Sequence, residues 1–127
     1  MFGDVAAFSS FSTNDIAAAK RFYGDDLGIK VSDEMMGLAL RFANGHSVFI
    51  YPKDDHAPST YTVLNFPVDD IEKAVDALTA KGVTFERDEG ADDKGIHRDD
   101  FGPAIAWFKD PAGNFISVLS DLQDRPG

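Results

Sequence analysis

Cysteine is absent from the 127 residues, which excludes disulfides, thiolate metal sites and cysteine nucleophiles. Basic charge is scarce: 12 Lys and Arg stand against 22 Asp and Glu, for a net charge of −10. A phosphate backbone needs a basic face, so this balance argues against nucleic acid as a partner. It suits a cationic ligand, or simply keeps the protein in solution. No apolar run approaches the ~20 residues of a membrane span, and no membrane partner is expected. The opening Met1-Phe2-Gly3-Asp4 has neither a basic start nor a long apolar run, so no secretory leader is expected and the expected location is the cytoplasm. Tryptophan occurs once, at Trp107, whereas phenylalanine occurs eleven times. Most of these rings belong to a core, and some can line a pocket for a flat or apolar molecule.

A chain of this length suits one compact domain that buries roughly two-thirds of its unfolded surface. Residues 5–11 read as a short apolar strand. Asn14 can cap a helix whose apolar positions are Ile16, Ala19, Phe22, Tyr23 and Leu27, with Gly28 ending it. Strands follow at 29–35 and 38–43. Asn44-Gly45 marks a hairpin because both residues tolerate positive φ, and 46–51 returns. A polar linker with two prolines spans 52–59. The second half opens on a β-prone run, 60–68. Asp69 and Glu72 then have capping-box spacing before a helix with Ile71, Ala74, Val75 and Leu78 on one face. Gly82 stops that helix, 83–86 reads as a strand, 87–100 as a charged loop, and 104–108 and 115–119 as the final strands. The tail from 121 to 127 reads as frayed.

The halves repeat each other. Phe11-Ser12-Thr13-Asn14-Asp15-Ile16 returns as Phe66-Pro67-Val68-Asp69-Asp70-Ile71 at an offset of 55, and the order strand, helix, three strands returns with it. The expectation is a duplicated α+β unit, two βαβββ modules over 1–56 and 57–127 of a single domain. One module alone exposes a sheet face, so the two must pair.

Three stretches resemble the vicinal oxygen chelate superfamily, which includes glyoxalase I, bleomycin resistance proteins and extradiol dioxygenases. They are Asn14-Asp15-Ile16 with Arg21-Phe22-Tyr23 and Leu27-Gly28; Val68-Asp69-Asp70-Ile71 with Gly82-Val83; and Phe108-Lys109-Asp110-Pro111-Ala112-Gly113-Asn114. The resemblance implies paired modules forming curled mixed sheets around a cup-shaped cavity, and a homodimer. Metal-using members draw histidines and glutamates from four strands. Carried over one position at a time, those places fall on Phe8, seven residues before Asp15; on Val63, seven before Asp70; on Ser117, three after Asn114; and, by aligning the two hairpins, on Phe49. None of these side chains is a donor for a hard divalent ion. The resemblance therefore implies no family metal and no cofactor here, with Ser117 standing where the enzymes hold a carboxylate.

Other candidates point to less. His46, His56 and His97 read as solvated loop residues, although His97-Arg98-Asp99-Asp100 is placed to line a cup mouth. The acidic run Asp88 to Asp93 lacks the order of a calcium loop. No Ser-His-Asp arrangement or phosphate loop is present, and no residue is assigned a catalytic role. Arg41 reads as an outward charge that could meet an anion. Alternation puts Ile105 and Trp107 on one strand face and Ala106 and Phe108 on the other. The reading is a metal-free small-molecule-binding protein with a ligand site formed by Phe8, Phe49, Val63, Trp107 and Ser117, and with Phe101 as an aromatic at its mouth. The rivals are a metal-dependent lyase, isomerase or dioxygenase using other ligands, such as His46 or His97 with a carboxylate, and a subunit whose cup is vestigial.

Overall fold

Both helices begin on an aspartate that satisfies a free backbone donor of the first turn. Asp15 accepts from the Ala18 N–H at 3.0 Å and Asp70 from the Lys73 N–H at 3.1 Å. The caps therefore sit one residue later than Asn14 and Asp69, and at the same place in each repeat. In a computed structural model, which describes residues 1–99 and 102–121, the chain divides into two compact units, Met1–Ala57 and Pro58–Gly127.

The first unit runs β1 (Ser9–Thr13), α1 (Ile16–Lys20), β2 (Lys30–Glu34), β3 (Gly37–Arg41) and β4 (Ser47–Pro52). Its sheet has the order β1-β4-β3-β2, with β1 parallel to β4 and the other pairs antiparallel. The helix expected to reach Leu27 changes character after Lys20, and Arg21–Asp26 forms a wider π-type turn. The wider turn buries two consecutive aromatics, Phe22 and Tyr23, whose rings meet edge-on at 5.2 Å. One sheet face supplies Phe11, Leu38, Leu40, Val48 and Ile50 to this core.

The second unit runs β5 (Thr62–Val68), α2 (Ile71–Ala80), β6 (Ile96–His97), β7 (Ile105–Lys109) and β8 (Phe115–Ser120), with sheet order β5-β8-β7-β6. β5 is parallel to β8, as β1 is to β4. Ile71 and Val75 of α2 are buried, as are Ala106, Phe108, Ile116 and Val118 on the inner strand faces. The strand expected at 83–86 is only a bridge from Phe85 to Phe108, with the Glu86 N–H donating to the Trp107 carbonyl at 2.8 Å. The edge strand is instead Ile96–His97, inside the stretch read as a loop. Its two residues are too few to show alternation amid their charged neighbours.

The two hairpins share one turn. The Gly45 N–H donates to the Phe42 carbonyl and the Phe42 N–H to the His46 carbonyl; in the second unit Gly113 pairs with Asp110, and Asp110 with Asn114, in the same way. Gly45 and Gly113 have φ of 82° and 84°, and no other residue type adopts positive φ among the described residues. This is a type I turn closed by a glycine bulge, so Asn44 does not take the positive φ expected of it. It also fixes Gly45 opposite Gly113.

Candidate functional site

Because the helix covers one face of each sheet, chemistry is left to the other face. In the first unit that face carries the cross-strand row Ser10, Phe49, Ala39 and Ser32. In the second, the matching row is Asn65, Ser117 and Trp107. The registers make Phe49 the counterpart of Ser117 and Ala39 the counterpart of Trp107. Each row thus holds one large aromatic beside one small residue, with the two exchanged between neighbouring strands.

Phe49 is half-buried, and Phe8, just ahead of β1, is 64 % exposed. They share a hollow of about 400 Å³ with Met35, Met36, Ala39 and Arg41. Arg41 is not free for an anion: its guanidinium lies 3.0 Å from Glu34 and also donates to Ser32. Val63 sits at the irregularity where the β5–β8 register slips between Thr62 and Leu64. Ser117 is 1 % exposed, and its hydroxyl donates to Asn65 Oδ1 at 2.6 Å, which satisfies an otherwise costly buried group. Neither Val63 nor Ser117 lines this hollow or the two that Trp107 borders. Phe101 lies outside the described residues.

Trp107 stands on the open face with Ile105, while Ala106 and Phe108 are fully buried on the other, as alternation requires. Its indole N–H donates to Thr62 Oγ1 at 3.0 Å, which fixes the ring. One of its two hollows, of about 580 Å³, includes Tyr61, Phe115, Glu86 and Asp88. The other, of about 540 Å³, includes His97, Pro103 and Ile105. Phe115 was legible, since it lies two residues before Ser117 on the same strand face; Tyr61, Glu86 and Asp88 had no such signal.

Two of the three histidines differ from the expectation of solvated loops. His46 is exposed in the first hairpin, but Nδ1 of His56 lies 2.6 Å from Ser12 Oγ, tying the linker to β1. His97 belongs to β6. Its ring meets Trp107 edge-on at 5.1 Å, and its Nε2 lies 2.9 Å from Asp88 Oδ1, out of line for a hydrogen bond. The acidic stretch shapes the backbone around it, since Asp92 accepts from the Lys94 and Ile96 N–H groups, both at 2.9 Å. These bonds, that to Ile96 first, hold the Asp92 carboxyl below its usual pKa of 3.8, helped by the charges of Arg98 and Lys94 and opposed by desolvation.

Metal-using members of such a fold need three or more imidazole and carboxylate donors converging on one point. Phe8, Phe49, Val63 and Ser117 supply none. Among the described residues no group of three His, Asp or Glu side chains is placed to hold an ion, so the residues present do not fit that metal.

Duplicated βαβββ units with one helix-covered and one open face define a class of small α+β proteins. The Glyoxalase/Bleomycin resistance protein/Dioxygenase superfamily matches residues 6–118, and the chain belongs to that superfamily. Among solved structures it is similar to a glyoxalase family protein from Enterococcus faecalis, at 23 % identity and a TM-score of 0.72 over 94 % of this chain and 100 % of that one. It is also similar to a genomically encoded fosfomycin resistance protein from Listeria monocytogenes, at 13 % identity and 0.73 over 97 % and 98 %. An antibiotic binding protein from Streptomyces sp. CB03234 matches at 20 % identity and 0.66 over 93 % and 98 %. No curated protein matches the chain.

Proposed function

We propose that this protein binds a flat apolar or aromatic small molecule, holding or sequestering it without a metal. Each unit offers its own aromatic surface for this: Phe8 and Phe49 in the hollow of the first unit, and Trp107 in the hollows of the second, where Val63 and Ser117 belong to the supporting sheet rather than to a hollow's lining. One argument carries the reading: the four positions at which the resemblance implies metal donors are Phe8, Phe49, Val63 and Ser117, and none of these side chains is a donor for a hard divalent ion. An aromatic beside a small neighbour on each open sheet face supplies a platform for a planar ligand. The solved relatives described as antibiotic binding and fosfomycin resistance proteins make a toxic small molecule a reasonable ligand class.

Trp107, as the sole tryptophan, reports the test. A panel of planar compounds is titrated against its fluorescence, with and without chelator. The expected result is saturable quenching that chelator leaves unchanged. Calorimetry reads the first unit's hollow separately, where Phe49→Ala should weaken a bound compound about ten- to hundredfold, the equivalent of roughly 1–3 kcal/mol of lost stacking and apolar contact. Quenching that vanishes with chelator and returns with a divalent ion contradicts the proposal.

The closeness of His97 and Asp88 favours a second reading, in which they are two donors of an enzyme's metal. Under it, purified protein carries one divalent ion per chain, and His97→Ala loses it.

A further inference from the structure

A lysine ammonium lies against two of the residues that border the hollow beside Trp107. Lys109 stands two residues after Trp107 on the same strand face, and its ammonium lies 5.1 Å from the centre of the Phe115 ring and 3.4 Å from Glu86 Oε1. Burial does not force it there: the Lys109 side chain is 52 % exposed and has a long stem that can carry its charge into water. The β7–β8 register sets Lys109 opposite Phe115, and the Glu86 carboxylate gives the ammonium a partner beside that ring. Phe115 and Glu86 border the same hollow as Trp107 and Asp88. The Trp107 N–H is committed to Thr62, so the indole has its π-surface and not its donor to offer a ligand.

From this we infer that the hollow takes an organic cation with a flat aromatic part, and that Lys109, beside the hollow, competes with it for the Phe115 ring and the Glu86 carboxylate. The inference rests on the binding function proposed above and names the ligand's charge. Arg87 also borders the hollow, so with Lys109 it balances Glu86 and Asp88, and a tally of local charges does not select a sign. The placement of an ammonium against ring and carboxylate does select one. At longer range, residues 58–127 contain fourteen Asp and Glu against seven Lys and Arg, a field that draws cations in.

The test uses the full chain and three probes of one shape: N-methylquinolinium (cationic), quinoline (neutral at pH 7.5) and quinaldate (anionic), read by Trp107 fluorescence and calorimetry. The expected order is cation tightest and anion weakest. Glu86→Gln should weaken N-methylquinolinium roughly three- to tenfold and leave quinoline nearly unchanged, and Lys109→Met should tighten it by a similar factor. Thermal melts show whether each variant folds, and the order of probes on the unmodified protein stands independently of them. Quinoline bound as tightly as the cation, quinaldate bound tighter, or a folded Lys109→Met without effect overturns the cation inference while the binding function stands. If no planar compound of any charge binds, the binding function itself is contradicted and this inference falls with it.

Discussion

At position 117 a hydroxyl is buried to 1 % exposure against Asn65, a polar pair inside one sheet. Ser117→Glu places a longer, charged group in that space, where the hydroxyl's partner is the neutral Asn65 amide. The variant should lose about 3–5 kcal/mol of stability, since a buried charge without a partner is among the costliest changes. It should gain no metal, because the other three positions still offer no donors. Urea denaturation beside calorimetry with divalent ions measures both effects; micromolar ion binding by the variant alone contradicts the account. Single residues were legible where period decided: alternation fixed the faces of Ile105, Ala106, Trp107 and Phe108. They were not legible where contacts are long-range. Nothing within a few residues of His97 reveals that it will lie against both Trp107 and Asp88, or near His56 that it will meet Ser12, 44 residues away.

At the scale of an element, the hairpin joining β7 and β8 depends on one buried carboxylate. Asp110, 5 % exposed, accepts from the Ala112 N–H at 3.0 Å, the Asn114 N–H at 2.8 Å and the Asn114 side-chain amide at 3.1 Å. Asp110→Ala strands these donors and should cost about 2–3 kcal/mol by chemical denaturation; a change within about 0.5 kcal/mol, the usual scatter of surface substitutions, contradicts that role. Asp92 does similar work at the loop before β6, and there pH is the probe. Its pKa is lowered in the folded chain, so its bonds to Ile96 and Lys94 add stability above the unfolded carboxylate value and lose it as pH falls through the folded one. Carbon NMR of the Asp92 carboxyl should show a midpoint below 3.8; a midpoint at or above it contradicts the loop geometry. The two helices and the paired hairpins were readable because 3.6-residue spacing and turn glycines are local signals, although both caps fall one residue later than read and the first helix gives way to a wider turn after Lys20. The edge strand at 96–97 was not, because only its pairing with β7 makes it a strand.

On the scale of the whole molecule, the duplication was legible at an offset of 55 residues, and the superfamily with it. No helix among the described residues is long and apolar enough to cross a membrane. Of seven large apolar side chains left exposed among the described residues, six lie in the first unit: Met1, Phe2, Val5, Phe8, Met35 and Met36. Three of them, Phe8, Met35 and Met36, line one hollow, and an apolar patch of that kind gains from being covered. We therefore expect the full chain to sediment as a homodimer, and isolated residues 1–57 to self-associate rather than melt as a cooperative monomer. A stable monomeric fragment contradicts this. The central claim, binding without a metal, is tested most directly by elemental analysis of protein purified with no chelator at any step. The account predicts far less than one transition-metal ion per chain in protein that still binds a planar ligand. One tightly held divalent ion per chain, whose removal abolishes that binding, would contradict it.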